Sequence, residues 1–368
     1  MLQRAPMTRV LNVLVATPVA ATGQGGIDRV MAALKSELER DPRGIAASFA
    51  ATRGSGSLAL SPFHLTRFLA TMMAMRAQGR LDLVHINIAS HGSTYRKLVI
   101  AGAARALRIP YVLHLHGADY RTFWTDEDRW LNRRIREMFE GAARIVVLGR
   151  VWRDFIAERA PGAQDRIEII PNACARPTSP HVGGGDSVHI LFLGRIGDRK
   201  GVPQLGEALF RMKALPGWRA TIAGDGNVEA ARARAAEYGL TDRVDFPGWV
   251  GPDRVAELIA SADILTLPSF SENLPVSVIE AMAAGLAVVT TPVGAVEDLI
   301  VDGETGLLVP PGDVDALTAA LIRVVDDPAL RQRLGTAALA LHREKLDLAP
   351  FADAMQRTWN DAALSGGR

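Results

Sequence analysis

The residues best suited to chemistry lie in two short runs in the second half of the chain. In the first, Gly194-Arg195-Ile196-Gly197-Asp198-Arg199-Lys200-Gly201, glycines let the backbone approach an anion. Arg195 can fork two oxygens there and Lys200 can set a point charge on the same group. A diphosphate leaving group needs about that much positive charge, and a solvated turn with incidental cations is the plain alternative. In the second run, Ser271-Glu272-Asn273-Leu274-Pro275-Val276-Ser277-Val278-Ile279-Glu280, a loop opens a helix whose free N–H groups and dipole make an anion site. Seven residues separate Glu272 from Glu280, about two helical turns, so both carboxylates can reach one side of a ligand, one toward a sugar and one toward a ribose. Read plainly, the pair is a helix-capping acid and a solvated one.

Other chemistries are excluded or explained by simpler roles. Neither Gly194 nor Gly224-Asp225-Gly226 has the G-x-G-x-x-G spacing of a dinucleotide fingerprint, and a P-loop is absent. Asp126-Glu127-Asp128 and Asp313-Val314-Asp315 have the Asp-x-Asp spacing of many metal-dependent transferases. The first sits among Arg121, Arg129, Arg133 and Arg134 and reads as part of a salt-bridged helix; the second starts a helix after Pro310-Pro311-Gly312, where acids favour the positive dipole end. The eight histidines include no H-E-x-x-H pair, so no zinc site is expected. The one cysteine, Cys174, excludes an intrachain disulfide or a thiolate cluster, and a reducing cytoplasm fits it. Ser90-His91-Gly92-Ser93 offers a hydroxyl beside an imidazole, but without G-x-S-x-G it reads as a loop on the acceptor side.

The elements that must hold these loops follow from the alternation of short β-branched runs with longer helical patterns, the mark of βαβ units. In the front half Val10–Ala16, Leu83–Ile88, Tyr111–Leu115, Ile145–Leu148 and Ile167–Ile170 read as buried strands. The series restarts with His189–Leu193, Arg219–Ala223, Val244–Phe246, Ile264–Leu267, Ala287–Thr290 and Gly306–Val309. Between them the Pro- and Gly-rich segment Pro177–Asp186 cannot propagate a helix or a central strand. With 368 residues, 48% of them hydrophobic, this gives an α/β chain with an N-terminal domain over 1–180 and a C-terminal one over 181–348. A last helix over 349–368, with Phe351, Met355 and Trp359 on one stripe, returns to the N-terminal domain. Two doubly wound domains facing each other would set the carboxyl ends of both sheets around a central cleft, where such sheets take ligands. The apolar run Val10–Ala21 is shorter than the roughly 20 residues that span a bilayer. Arg4 and Arg9 ahead of it also suit a cleaved signal peptide, but it reads better as the first strand.

Charge is unevenly spread. Residues 1–180 hold 25 Lys and Arg against 15 Asp and Glu, and residues 181–368 hold 17 against 25. The basic half suits an anionic partner such as a phospholipid surface, a lipid diphosphate or a nucleic acid, or else dispersed solvated arginines. From Tyr120 to Phe139 aromatic and apolar residues interleave with Arg121, Arg129, Arg133, Arg134 and Arg136; such a helix either packs its apolar side on the front domain or lies in a membrane interface. Phe68, Leu69, Met72, Met73 and Met75 are spaced for the core face of a helix.

Taken together, the G-R-x-x-x-x-K-G run, the E-x7-E pair and Gly303-Glu304-Thr305-Gly306-Leu307-Leu308-Val309 resemble the family-four retaining glycosyltransferases of the GT-B fold, the bacterial polysaccharide and lipopolysaccharide type. The resemblance implies a hexosyltransferase with roles at matching positions. Arg195 and Lys200, with Gly194 and Gly224 beside them, would bind the donor diphosphate, Glu280 the ribose hydroxyls and Glu272 the donor sugar, with Asn273, Leu274 and Val276 in the same loop. Trp249 and Val250 of Phe246-Pro247-Gly248-Trp249-Val250 would frame the nucleobase. In the front domain Gly25-Gly26-Ile27 would lie beside the donor phosphates, and His116 of His116-Gly117-Ala118-Asp119 beside the anomeric carbon. Asp119 and His91 fall on the acceptor side. Two departures stand out: Pro275, without an N–H, stands where the family often has glycine, and Asn172-Ala173-Cys174 replaces the usual asparagine-glycine pair.

The function implied is transfer of a hexose-type sugar from a UDP- or GDP-linked donor to a glycan or lipid-diphosphate acceptor in surface polysaccharide or lipopolysaccharide synthesis. Configuration would be retained and no metal or other cofactor used. Cytoplasmic placement is expected, with peripheral association with the inner face of the membrane as a further option, and no nucleic acid. A sugar-nucleotide epimerase of similar shape and a non-catalytic nucleotide-binding protein are the alternatives; the first needs no acceptor, and the second predicts binding without turnover.

Overall fold

The computed structural model describes residues 10–19, 25–127, 129–177, 181–183 and 185–365. The chain divides into two compact units, Met1–Asn172 together with Leu348–Arg368, and Ala173–Asp347. Thr178–Pro180 and Gly184 of the Pro- and Gly-rich segment, and Ala20 and Ala21 of the first apolar run, lie outside the described residues.

The first unit is built on strands β1 (Leu11–Thr17), β2 (Ile45–Ala51), β3 (Leu83–Ile88), β4 (Tyr111–Leu115), β5 (Arg144–Val147) and β6 (Ile167–Ile169), all parallel, in the order β2-β1-β3-β4-β5-β6. Every residue of β3 and β4 is buried, as expected for central strands covered by helices on both faces. Each fully buried Val, Leu or Ile there adds about 1.5–3 kcal/mol of hydrophobic stabilisation. The edge strand β2 is absent from the expected series. Its sequence, IAASFAA, has two β-branched or aromatic residues among seven, and it is only partly covered.

The second unit carries β7 (Val188–Leu193), β8 (Trp218–Ala223), β9 (Val244–Gly248), β10 (Ile264–Leu267), β11 (Ala287–Thr290) and β12 (Leu307–Leu308), parallel throughout, in the order β12-β11-β10-β7-β8-β9. Counted within the unit this is 3-2-1-4-5-6 from the β9 edge, the order of dinucleotide-binding folds. The order reverses between β7 and β10 here, and between β1 and β3 in the first unit. The loops leaving those strands splay apart, and in each sheet this opens the place where a ligand fits.

The C-terminal helix Leu348–Ser365 packs within the first unit, with Phe351, Met355 and Trp359 buried and the Trp359 indole donating to His85 Nδ1 on β3 at 3.1 Å. The stretch Tyr120–Phe139 is not one helix. It forms Tyr120–Phe123 and Trp130–Glu140, with Asp126 and Glu127 in the connection and Asp128 outside the described residues. Asp126 pairs with Arg159 and Glu127 with Arg129, so the acids are bridged, though not on a helix. Inside, Trp124 stacks on Phe139 at 5.1 Å between ring centroids, while Trp130 remains exposed beside Arg134. In the helix Ser61–Ala77 the expected core stripe is narrower than its spacing suggests: Phe68 and Met72 are buried, whereas Met73 is exposed. Among the described residues no helix is long and apolar enough to cross a membrane.

Candidate functional site

In the second unit, the expected donor residues gather at the carboxyl end of the sheet. Arg195 and Lys200 follow β7, Gly224 follows β8, Trp249 and Val250 follow β9, and Glu272, Asn273 and Leu274 follow β10. Close backbone approach holds these loops together. Gly201 has φ +70°, and a Cβ on it would overlap the Pro268 carbonyl oxygen just beyond β10; a Cβ on Gly224 would overlap the Gly194 carbonyl. Phe270 N–H donates to the Arg199 carbonyl at 2.9 Å, and the Arg199 guanidinium donates to the Ser271 carbonyl at 3.2 Å. The two loops at the switch point are therefore one joined structure.

At its centre Lys200 Nζ donates to Glu272 Oε1, which also accepts from Ser269 Oγ at 2.8 Å. The Lys200 and Glu272 side chains are 14% and 9% exposed. Thr291 Oγ1 in turn donates to the Ser269 carbonyl at 2.6 Å and fixes that strand end. Arg195 is 70% exposed and lies 3.6 Å from Asp225 Oδ2, a loose pair that leaves its fork open to an incoming anion.

Glu272 lies ahead of the helix Val276–Ala284, on which Glu280 occupies the fifth position. The seven-residue spacing is thus a loop plus one helical turn, rather than two turns of one helix. Pro275 caps this helix with extended backbone (φ −72°, ψ 125°), leaving the N–H groups of Val276 and Ser277 at its start. Leu274 and Asn273 are buried, Glu280 and Val250 half-buried, and the Trp249 indole is 54% exposed above the strand end.

In the first unit, Gly25 caps the helix Gly26–Arg40, whose Asp28 accepts the Val19 N–H at 3.0 Å; residues 20–24 lie outside the described residues. His116 directly follows β4. Its backbone N–H donates to the Ile88 carbonyl at 2.8 Å, and its Nε2 is 2.8 Å from Asn87 Oδ1 on β3. Asn87 Nδ2 donates to the Ala16 carbonyl at 3.2 Å, which leaves Oδ1 as acceptor and puts the imidazole proton on Nε2. The Nδ1 lone pair is then the acceptor of this ring. Burial and the nearby His85 pull the His116 pKa down to about 3, so the ring is a neutral acceptor, not an acid, at neutral pH.

His114 and His85 stand behind it, with ring centroids 4.0 Å (His116–His114) and 5.4 Å (His114–His85) apart. Gly117 lets this loop run against the next, since a Cβ there would lie 2.8 Å from the Ser90 nitrogen. His91 is exposed with φ +57° and ψ −130°, a sparsely populated backbone for a residue with a Cβ, and its ring meets Phe123 edge-on at 4.9 Å. Asp119 is half-buried and opens the short helix Tyr120–Phe123.

Residue types alone did not single out Asn87, Ser269 and Thr291. Asn87 carried a usable signal, a polar amide inside an otherwise apolar strand, which must find partners when buried. Asp313 caps its helix by accepting the Ala316 N–H at 2.8 Å. Among the described residues no three His, Cys, Asp or Glu side chains are grouped to hold a metal ion.

Two parallel six-stranded sheets of this kind, each flanked by helices, make an α/β chain of the GT-B fold. Anabaena HepE, solved in complex with UDP and glucose, superimposes with a TM-score of 0.74 over 95% of this chain and 99% of its own, at 19% identity. Residues 24–174 match Glycosyltransferase Family 4 and residues 182–340 match Glycosyl transferases group 1. The phosphatidyl-myo-inositol mannosyltransferase of Mycobacterium leprae is 30% identical over 274 residues, 72% of this chain and 71% of that protein. The 2-deoxystreptamine glucosyltransferase of Streptomyces kanamyceticus is 28% identical over 309 residues, 76% and 77% of the two chains. The chain belongs to glycosyltransferase family 4 and is a sugar-transferring enzyme.

Proposed function

We propose that this enzyme moves a hexose-type sugar from a UDP- or GDP-linked donor to a glycan or lipid-linked acceptor in surface polysaccharide or lipopolysaccharide synthesis. It does so with retention, without a metal or other cofactor, and in the cytoplasm. The observation that carries the donor assignment is the joining of Lys200 and Glu272 at the β7/β10 switch point, with Arg195 exposed on the same loop after β7 and the helix Val276–Ala284 starting just beyond Glu272. Breaking the bond from the anomeric carbon to the diphosphate builds negative charge on the leaving oxygens. Arg195, Lys200 and the N–H groups of Val276 and Ser277 are preorganised to take that charge. Glu280 would hold the ribose hydroxyls, Trp249 and Val250 the base, and Glu272 the donor sugar.

In the first unit the Nδ1 lone pair of His116 would accept from a sugar hydroxyl, with Gly25 and Gly26 beside the phosphates and Asp119 and His91 toward the acceptor. Retention follows if the departing phosphate oxygen takes the proton of the acceptor hydroxyl while that hydroxyl oxygen bonds to the anomeric carbon from the same face. The lipid-linked option is supported by the mycobacterial relative, whose name gives phosphatidyl-myo-inositol as its substrate.

The test is turnover of UDP-, GDP- and ADP-sugars with EDTA present, beside Arg195→Ala and Glu280→Ala, with the anomeric product read by proton NMR. Selective, EDTA-resistant turnover lost in both variants supports the reading. Failure to bind any nucleotide sugar, or an inverted linkage, overturns the corresponding part.

A further inference from the structure

Among the described residues, Arg53, Arg96 and Lys97 gather at the carboxyl edge of the first sheet without ion-pair partners. Past β2 the chain folds onto the end of β1: Thr52 N–H and Oγ1 both donate to the Thr17 carbonyl, at 2.8 and 2.9 Å, and Arg53 and Gly54 N–H donate to the Pro18 carbonyl at 2.9 and 3.1 Å. Lys97, on the helix Gly92–Ala106 that follows β3, is 1% exposed and donates to Thr52 Oγ1. Its neighbour Arg96 is half-buried, with Nε enclosed and unpartnered. Burial and the charge of Arg96 pull the Lys97 ammonium down to about 7, and burial and the charge of Arg53 pull Arg96 down as well. Among the described residues Arg53, Arg96 and Lys97 make no ion pair, and the carboxylate whose charge reaches Lys97 is Asp28, already accepting the Val19 N–H.

The sequence offers little else. From Pro42 to Ala118 the one acidic residue is Asp82, and it accepts from Asn12 at the opposite, amino-terminal edge of the sheet. Enclosed cations that outnumber the carboxylates beside them are costly, and an anion at this place would relieve the cost. The place is the β1/β3 switch point, and a pair of guanidinium forks matches the oxygens of a phosphoryl group.

We propose that Arg53, Arg96 and Lys97 form a phosphoryl-binding subsite of the first unit, which holds a phosphate of the acceptor. The two arginines contact the oxygens, and Lys97 supplies charge from beneath through Thr52. The word acceptor rests on the donor assignment made above; the anion site itself does not.

The experiment is calorimetric binding of glycerol phosphate, and of vesicles carrying phosphatidic acid, to the full chain in a Lys200→Ala background that mutes the diphosphate loop. Arg96→Gln is expected to weaken glycerol phosphate by at least about tenfold, the scale of one lost charge-assisted hydrogen bond, and Lys97→Met to weaken it less, through the lost charge alone. In two buffers of different ionisation heat, binding near pH 7.5 should take up protons in the Lys200→Ala parent and cease to do so with Lys97→Met. Competition between the two probes assigns the phosphoryl group to a lipid headgroup, and its absence to a soluble acceptor. Glycerol phosphate affinity unchanged in Arg96→Gln and Arg53→Gln, or no binding at all, overturns the subsite. UDP binding to the chain with Lys200 intact separates this from failure of the donor assignment.

Discussion

Lys200 and Glu272, 72 residues apart in sequence, form an enclosed ion pair at the point where the strand order of the second sheet reverses. The pair ties the loop after β7 to the loop after β10, and Ser269 takes up a further share of the same carboxylate oxygen. Without a nucleotide sugar each partner neutralises the other. A bound diphosphate would compete with Glu272 for the ammonium, and release of that carboxylate would leave it free to accept from a sugar hydroxyl.

Removing one member strands the other in a site from which most water is excluded. Lys200→Met is expected to lower stability by about 2–4 kcal/mol, the buried-pair range reduced for residual exposure, and Lys200→Met/Glu272→Leu to recover much of that loss. Urea unfolding of the two singles and the double gives the coupling. A single variant as stable as the parent would show that the pair is solvated in solution. All three should lose sugar transfer.

The sequence showed this loop chemistry because glycines, an arginine and a lysine directly after an apolar strand form a pattern that needs few partners. What it could not show is which groups the parallel sheet brings side by side. Asn87 reaches His116 only because β3 pairs with β4, and Thr52 reaches Lys97 only because β2 closes on β1. The alanine-rich β2 left too little β-branched signal to be seen. The Tyr120–Phe139 stretch has a helical period throughout, yet Asn132 Nδ2 donates to the Thr125 and Glu127 carbonyls and so stabilises the turn that interrupts it.

The tautomer of His116 depends on Asn87. Asn87→Asp keeps the shape but loses the amide donor to the Ala16 carbonyl and sets a carboxylate against the ring, which favours the imidazolium and removes the free acceptor. Turnover is expected to fall roughly 10–100-fold, more in kcat than in KM, on the scale of a disturbed partner to a catalytic group. The parent's kcat should show no inflection between pH 6 and 7 from His116, which is neutral throughout that range. An inflection there that disappears in His116→Ala would contradict this assignment.

Acid should unfold the first unit through its buried histidines. His85 is held down to about 4 and His116 to about 3 by burial, and His114 well below the ordinary imidazole value of 6.5. Between those values and 6.5 the unfolded chain binds more protons than the folded one. Stability is therefore full above 6.5 and declines as pH falls toward 4, by up to about 1.4 kcal/mol per pH unit for each ring. Neither His114 nitrogen has a hydrogen-bond partner among the described residues, so His114→Leu should cost little at pH 7.5 and flatten the acid limb. Urea midpoints at pH 5 and 7.5 decide it: equal acid sensitivity in the parent and His114→Leu would remove this ring from the account.

Gly201 offers the most direct test of the backbone that carries Lys200. At φ +70° a side chain is strained whatever space surrounds it, and here the Cβ would also strike the Pro268 carbonyl. That carbonyl belongs to the segment from which Ser269 and Glu272 project, so it cannot retreat without moving the carboxylate. Gly201→Ala is expected to cost about 2 kcal/mol or more, above the roughly 1 kcal/mol of left-handed strain alone, because rigid backbone must give. Gly303, also left-handed at φ +75° but with open space around it, is the control: Gly303→Ala should show only the conformational part. Nucleotide affinity should fall in Gly201→Ala and stay near the parent value in Gly303→Ala. Equal losses of stability and affinity in the two would mean that the approach of the β7 and β10 loops does not position the site.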